Sequence, residues 1–133
     1  MSVVIGFTGV LRTDLGAPLF DGMMLTRALL VGTRVVVASE GPLTEVERFL
    51  QQESIQGVSQ IYGDTPLLEA LRAERVQAAV SMVVTADPAE AIEVAEQGIS
   101  VCLFNASNFV RPDWKPSRKT WEDIANASHL SRR

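Results

Sequence analysis

The chain has 133 residues, 47% of them hydrophobic and 21% charged, a balance that fits one compact domain with its own core and excludes a disordered or fibrous chain. A net charge of −4 makes the whole molecule a poor surface for a phosphate backbone, and one Cys with one His can build neither a disulfide framework nor a zinc site, so a reducing, cytoplasmic setting is expected. No apolar stretch reaches the roughly 20 residues of a bilayer span, and the opening MSVVIGFTGVLR has no basic residue ahead of its apolar run, which reads as a buried strand and not as a signal peptide.

Apolar runs alternate with helical patterns along the chain, as in an α/β domain with a parallel sheet. The first run predicts a strand over 2–7. A helix follows over 20–31, where Met23, Met24, Arg27, Ala28, Leu30 and Val31 fall at helical spacings and Gly32 is placed to stop it. The second strand covers 34–38, and the helix over 42–52 carries Leu43, Val46, Phe49 and Leu50 on one stripe with Glu45, Glu47 and Arg48 toward water. The third strand, GVSQIY over 57–62, is more polar than the others and is the expected edge strand. A helix over 66–74 with Leu67, Leu68 and Leu71 leads into a strand over 77–84. The helix over 88–97 is expected to set Ile92 and Ala95 against the core and Glu90, Glu93 and Glu96 on a solvated face, with Gly98 ending it before a strand over 100–104. Pro42, Pro66 and Pro88 are each expected at the first helical position, where the missing N–H costs nothing. In Asp87-Pro88-Ala89-Glu90 the Asp can cap the helix and the Glu can reach back to it.

Composition changes at Arg111. From there on Lys and Arg exceed Asp and Glu by three, against a balance of −7 before it, and both tryptophans lie here. A last helix over about 117–127 is expected to pack on the sheet through Trp121 and Ile124, with 128–133 a frayed basic tail that includes His129. One domain, 1–127, therefore holds the whole core.

In a parallel α/β sheet, ligands bind beyond the carboxyl ends of the strands. That rule selects the 6–11 turn, Ser39, 62–65, 85–87 and 105–108. At these places the chain resembles the haloacid dehalogenase (HAD) superfamily of phosphotransferases. The stretch VVIGFTGVL stands where that family has a strand ending in Asp-x-Asp-Gly-Val/Thr-Leu, which puts Gly6 at the nucleophilic Asp and Thr8 at the general acid/base Asp. VVVASE supplies Ser39 at the second motif, and Thr65-Pro66 keeps the Pro of the third without its Lys. VVTADPAEAIEVAEQGISVCLF matches the acidic fourth motif, with Asp87 as the remaining acid and Ala91 where a second often stands. The tail NFVRPDWKPSRKTWEDI is similar to the endings of small HAD-like proteins of actinobacteriophages. The resemblance spans residues 2–127 and implies a three-layer Rossmann-like fold with strand order 5-4-1-2-3. Only RTDLGAPLFD lies between the first strand and the first helix, so no cap domain is expected, and a dimer burying that loop is one way such proteins cover the site.

Phosphoryl transfer of this type needs a carboxylate nucleophile, a proton-shuttling carboxyl and acidic Mg²⁺ ligands. Gly6 and Thr8 supply neither carboxylate, so the expectation is a catalytically inactive HAD-like protein with no cofactor and no metal, acting by binding a macromolecular partner or itself, in the host cytoplasm if phage-encoded. The alternative is a phosphate- or nucleotide-binding protein, or a noncanonical phosphohydrolase with Mg²⁺, using Ser39, Asp14, Asp87 and cations such as Arg111 or Lys115. The candidate vestigial pocket is Gly6, Thr8, Gly9, Ser39, Thr65 and Asp87. Each member also has a plain reading: Asp87 as a helix cap, Ser39 as turn chemistry, the glycines as a tight turn. Arg111, Trp114, Lys115, Arg118 and Lys119 form a candidate interaction surface, with nucleic acid an unlikely partner given the acidic core. For these the plain reading is that Trp121 closes the core and the cations solubilise the end. Cys102 lies mid-strand and reads as an inert core residue.

Overall fold

A computed structural model describes residues 1–104, which form one five-stranded, all-parallel sheet with four helices. The order in sequence is β1 (Ser2–Gly6), α1 (Phe20–Leu30), β2 (Arg34–Ala38), α2 (Leu43–Gln52), β3 (Gln60–Tyr62), α3 (Leu67–Gln77), β4 (Val80–Thr85), α4 (Pro88–Glu96) and β5 (Ser100–Leu103). Across the sheet it is β3-β2-β1-β4-β5, as expected from the resemblance, with the polar third strand at one edge. β1 lies at the centre, in register with β2 from Ser2↔Arg34 to Gly6↔Ala38, and its ladder to β4 is interrupted by a shift between Ser2 and Val3. The expected last helix, with Trp121 and Ile124, the 105–108 turn and the 127/128 boundary lie outside the described residues.

Alternation along the strands builds two cores. Val4, Val36, Ala38 and Val83 meet Leu67, Ala70 and Leu71 of α3 and Val94 of α4 on one face. On the other, Val37 and Phe7 meet Met23 of α1 and Val46, Phe49 and Leu50 of α2, beside a patch built on Val3, Ile5, Val35 and Val84. Burying a side chain of this size is worth roughly 1.5–3 kcal/mol, so these runs decide which elements pair. α1 comes so close to the first loop that a Cβ on Gly22 would stand 1.6 Å from the Val10 carbonyl oxygen, which is why a glycine sits inside this helix.

Several boundaries differ from those the sequence implies. β3 starts only at Gln60, and Gly57, at φ +97°, is not in extended geometry. α3 runs on to Gln77, three residues past Glu74, and β4 starts at Val80. Pro42 and Pro66 are N-caps with extended backbone (ψ 145° and 151°), and only Pro88 occupies the first turn. A fixed φ suits both positions, and ψ, which Pro does not fix, separates them. The inward stripe of α4 is Ala91 and Val94, whereas Ile92 and Ala95 face solvent. Glu90 is half-buried and does not share the solvated face expected for it.

Candidate functional site

The carboxyl ends of β1, β2 and β4, with the loop after β3, enclose an open cavity of about 440 Å³. After Gly6 the chain makes a tight turn, in which the Leu11 and Arg12 amides donate to the Phe7 carbonyl at 3.0 and 3.2 Å. Gly9 in this turn has φ +91°, and a Cβ there would lie 2.5 Å from the Ala86 methyl, so both backbone and neighbour require glycine. A tight hairpin over 13–17 follows, closed by Thr13 N–H to Ala17 O at 2.8 Å and by Ala17 N–H to Thr13 Oγ1 at 3.0 Å. It brings Asp14 to the cavity wall. Beneath it, Arg12 stacks 4.7 Å from the Phe7 ring centre and pairs with Glu45.

All six residues of the expected pocket, Gly6, Thr8, Gly9, Ser39, Thr65 and Asp87, line this cavity. Their hydrogen bonds are mostly local. Ser39 Oγ accepts from Gly41 N–H at 3.0 Å, Thr65 Oγ1 donates to Gly63 O at 2.8 Å, and Asp87 Oδ1 accepts from Ala89 N–H at 3.0 Å as the N-cap of α4. The geometry thus supplies the turn and capping roles directly. Thr8 is exposed. Gly6 has an ordinary φ, and a Cβ there would make only van der Waals contacts of 3.6 and 3.7 Å with Leu67 and Val84, so neither backbone nor neighbours require glycine. Arg111, Trp114, Lys115, Arg118 and Lys119 lie outside the described residues.

The charge of the cavity was only partly legible. Besides Asp87, the wall holds Asp14, Glu40 and Glu90, and among the described residues no Lys or Arg lines it. Glu90 accepts a 2.8 Å bond from the Thr85 hydroxyl, whose oxygen in turn accepts the Asp87 N–H at 3.1 Å. Burial pushes the Glu90 carboxyl up; the Thr85 bond pulls the other way, and the charges of Asp87, Glu40 and Glu93 add to the rise. Glu90 could have been flagged from its place as the third residue of a helix opening at a strand's carboxyl end; Glu40, in a turn, gave no signal. Among the described residues no three His, Cys, Asp or Glu side chains converge so as to hold a metal ion. With Asp87 capping α4 and Glu90 held by Thr85, these carboxylates do not fit a Mg²⁺ site.

A second polar cluster, unforeseen from sequence, lies around Glu74. This fully buried carboxylate accepts from Ser2 Oγ at 2.7 Å, Arg34 Nε at 2.8 Å and the Tyr62 hydroxyl at 3.2 Å. Burial alone would push it up, but the bonds from Arg34, Ser2 and Tyr62 and the Arg34 charge outweigh that and hold it below the usual carboxylate range. Every oxygen is bonded within the fold, so the cluster ties α3 to β1, β2 and β3.

No protein-family model, no curated protein and no solved structure matches the chain.

Proposed function

We propose that this chain is a degenerate, capless HAD-like protein that has lost phosphoryl transfer and works by binding a macromolecular partner, as a phage product would on its host. One observation carries the reading: at the working edge of an all-parallel sheet the cavity presents Gly6 and Thr8 where the resembled family has its two reactive carboxylates, and no described cation faces the four acids that line it. A phosphoryl group entering there would meet repulsion, and no carboxylate at the place of the resembled family's nucleophile. Three exposed apolar side chains favour a partner: Leu15, 97% exposed on the hairpin that carries Asp14, and Phe20 and Met24 of α1. Among the described residues no helix is long and apolar enough to cross a membrane, and the cytoplasmic setting belongs to the same proposal.

The test pairs two assays on the full chain. With Mg²⁺ and a panel of phosphomonoesters, phosphate release should not exceed the blank, and the chain should form a complex with a bacterial protein that can be rebuilt from the two purified components. Mg²⁺-dependent release that disappears in Asp87→Asn overturns the reading in favour of the enzyme alternative. A rise in melting temperature with inorganic phosphate or a nucleotide overturns it in favour of a phosphate-binding pocket.

A further inference from the structure

A second cavity, of about 420 Å³, opens between α3 and α4 and shares no residue with the one at the carboxyl edge of the sheet. Its wall takes Leu68, Arg72, Arg75 and Val76 from α3 and Glu93 and Gln97 from α4. The described residues hold six arginines and no lysine against thirteen Asp and Glu, so carboxylates outnumber the cations they could pair with. Arg12 and Arg34 do pair, with Glu45 and Glu74, and Arg27 donates to the Glu53 carbonyl at 2.6 Å. Arg72 and Arg75 form no ion pair among the described residues, although Glu93 lines the same cavity. Arg75 gives one donor to Gln97 Oε1 at 3.2 Å, and Arg72 makes no hydrogen bond among the described residues.

Like charges one turn apart on a helix repel. The helix dipole accounts for Arg75 alone, in the last turn of α3. Two guanidiniums with free donors on one wall suit an anion that both can hold, above all a planar carboxylate, which takes parallel N–H bonds. We propose that this groove holds the free C-terminus of a partner's peptide chain. Its α-carboxylate lies on Arg72 and Arg75, and its last side chain, apolar, lies on Leu68 and on Val76, which is 85% exposed. The peptide nitrogen next to that carboxylate brings the donor that Glu93 can accept. A phosphate or a bare carboxylate brings only more negative charge toward Glu93. The volume falls within the roughly 300–1,000 Å³ of ligand pockets, and the exposed Val76 leaves an end through which a chain can enter from solvent.

The test is a titration of the full ¹⁵N-labelled chain with an N-acetylated tripeptide that ends in leucine with a free carboxylate. Amide signals of α3 and α4 around Arg72, Arg75 and Gln97 should shift and saturate by about 10 mM. The same tripeptide with an amidated C-terminus should bind at least about tenfold more weakly, and so should the free tripeptide to Arg72→Gln/Arg75→Gln. Both arginines are exposed, so that variant should keep the parent's circular dichroism; if it does not fold, the comparison of free and amidated peptide decides alone. Equal binding of the two peptides, no saturable shift, or undiminished binding by the folded variant overturns the proposal. So do shifts that acetate reproduces at the same concentration, which leave a bare anion site, and tighter binding of free leucine than of the tripeptide, which assigns the groove to an amino acid.

Discussion

The Thr85 hydroxyl stands between Asp87 and Glu90, accepting the Asp87 N–H at 3.1 Å and donating to Glu90 Oε1 at 2.8 Å. A capping box normally closes directly from the third-residue carboxylate to the cap amide. Here it closes through a side chain on β4, so the start of α4 is fastened to the strand as well as to itself. Thr85 is 2% exposed, and removing its hydroxyl leaves the half-buried Glu90 carboxylate and the Asp87 N–H without this partner. Thr85→Val should therefore lose about 1–3 kcal/mol in urea unfolding, and Thr85→Ser much less.

Glu90 gives a pH-dependent test with a definite sign. Its folded carboxyl titrates above the ordinary value, with burial the main cause, so the folded state binds the proton more tightly than the unfolded one. The ionised group therefore costs stability at neutral pH, and that cost vanishes once both states are protonated. Glu90→Gln, which can still accept from Thr85, should unfold at higher urea than the parent at pH 7, and the gap should close below about pH 4. A variant less stable than the parent at pH 7 contradicts the assignment.

Glu74 has the opposite sign. Burial works against its ionised form, but the bonds from Arg34, Ser2 and Tyr62 prevail and the folded carboxyl titrates below the ordinary value. Its contribution is present above the unfolded value near about 4.3 and is lost as pH falls through the folded one. Removing Arg34 takes away the main partner of a buried carboxylate, so Arg34→Met should lower the urea midpoint at pH 7. Glu74→Gln should cost less, and its difference from the parent should shrink in acid; a difference independent of pH would deny the carboxylate its role.

The sequence was legible where one physical pattern dominated. Val3, Val4, Ile5, Val35, Val36 and Val37 are all buried, and such runs leave no other placement than the middle of a sheet covered on both sides. Asp87 as a cap was readable because Pro88 at the first helical position and Glu90 at the third mark the start of a helix. Helix faces were less readable. In α4, Ala, Ile and Val alternate with Glu so closely that the inward stripe is fixed by packing against β4 and β5, which chose Ala91 and Val94 over Ile92 and Ala95. Glu74 was hidden for a related reason: a glutamate on a helix reads as solvated unless its partners are known, and Ser2, Arg34 and Tyr62 come from three other elements. For the cavity, the six expected residues converge because they share one sheet edge, but its charge depends on Asp14 and Glu40, in loops whose positions no periodicity predicts.

Two glycines of the first turn separate steric need from lost chemistry. Gly9 combines φ +91° with a neighbour that a Cβ would meet at 2.5 Å, whereas Gly6 has ordinary backbone and contacts no closer than 3.6 Å. Gly9→Ala should therefore cost about 2–3 kcal/mol or more, from strain and from displacement of Ala86. Gly6→Ala should fold with a melting temperature close to the parent's. If the two variants are equally damaging, Gly6 is there for shape, and its place opposite the resembled family's nucleophile carries no chemical meaning. If they separate as expected, Gly6→Asp becomes a clean probe: it should fold and still release no phosphate, because Thr8 gives no proton-shuttling carboxyl and reactive groups that act as a unit fail together.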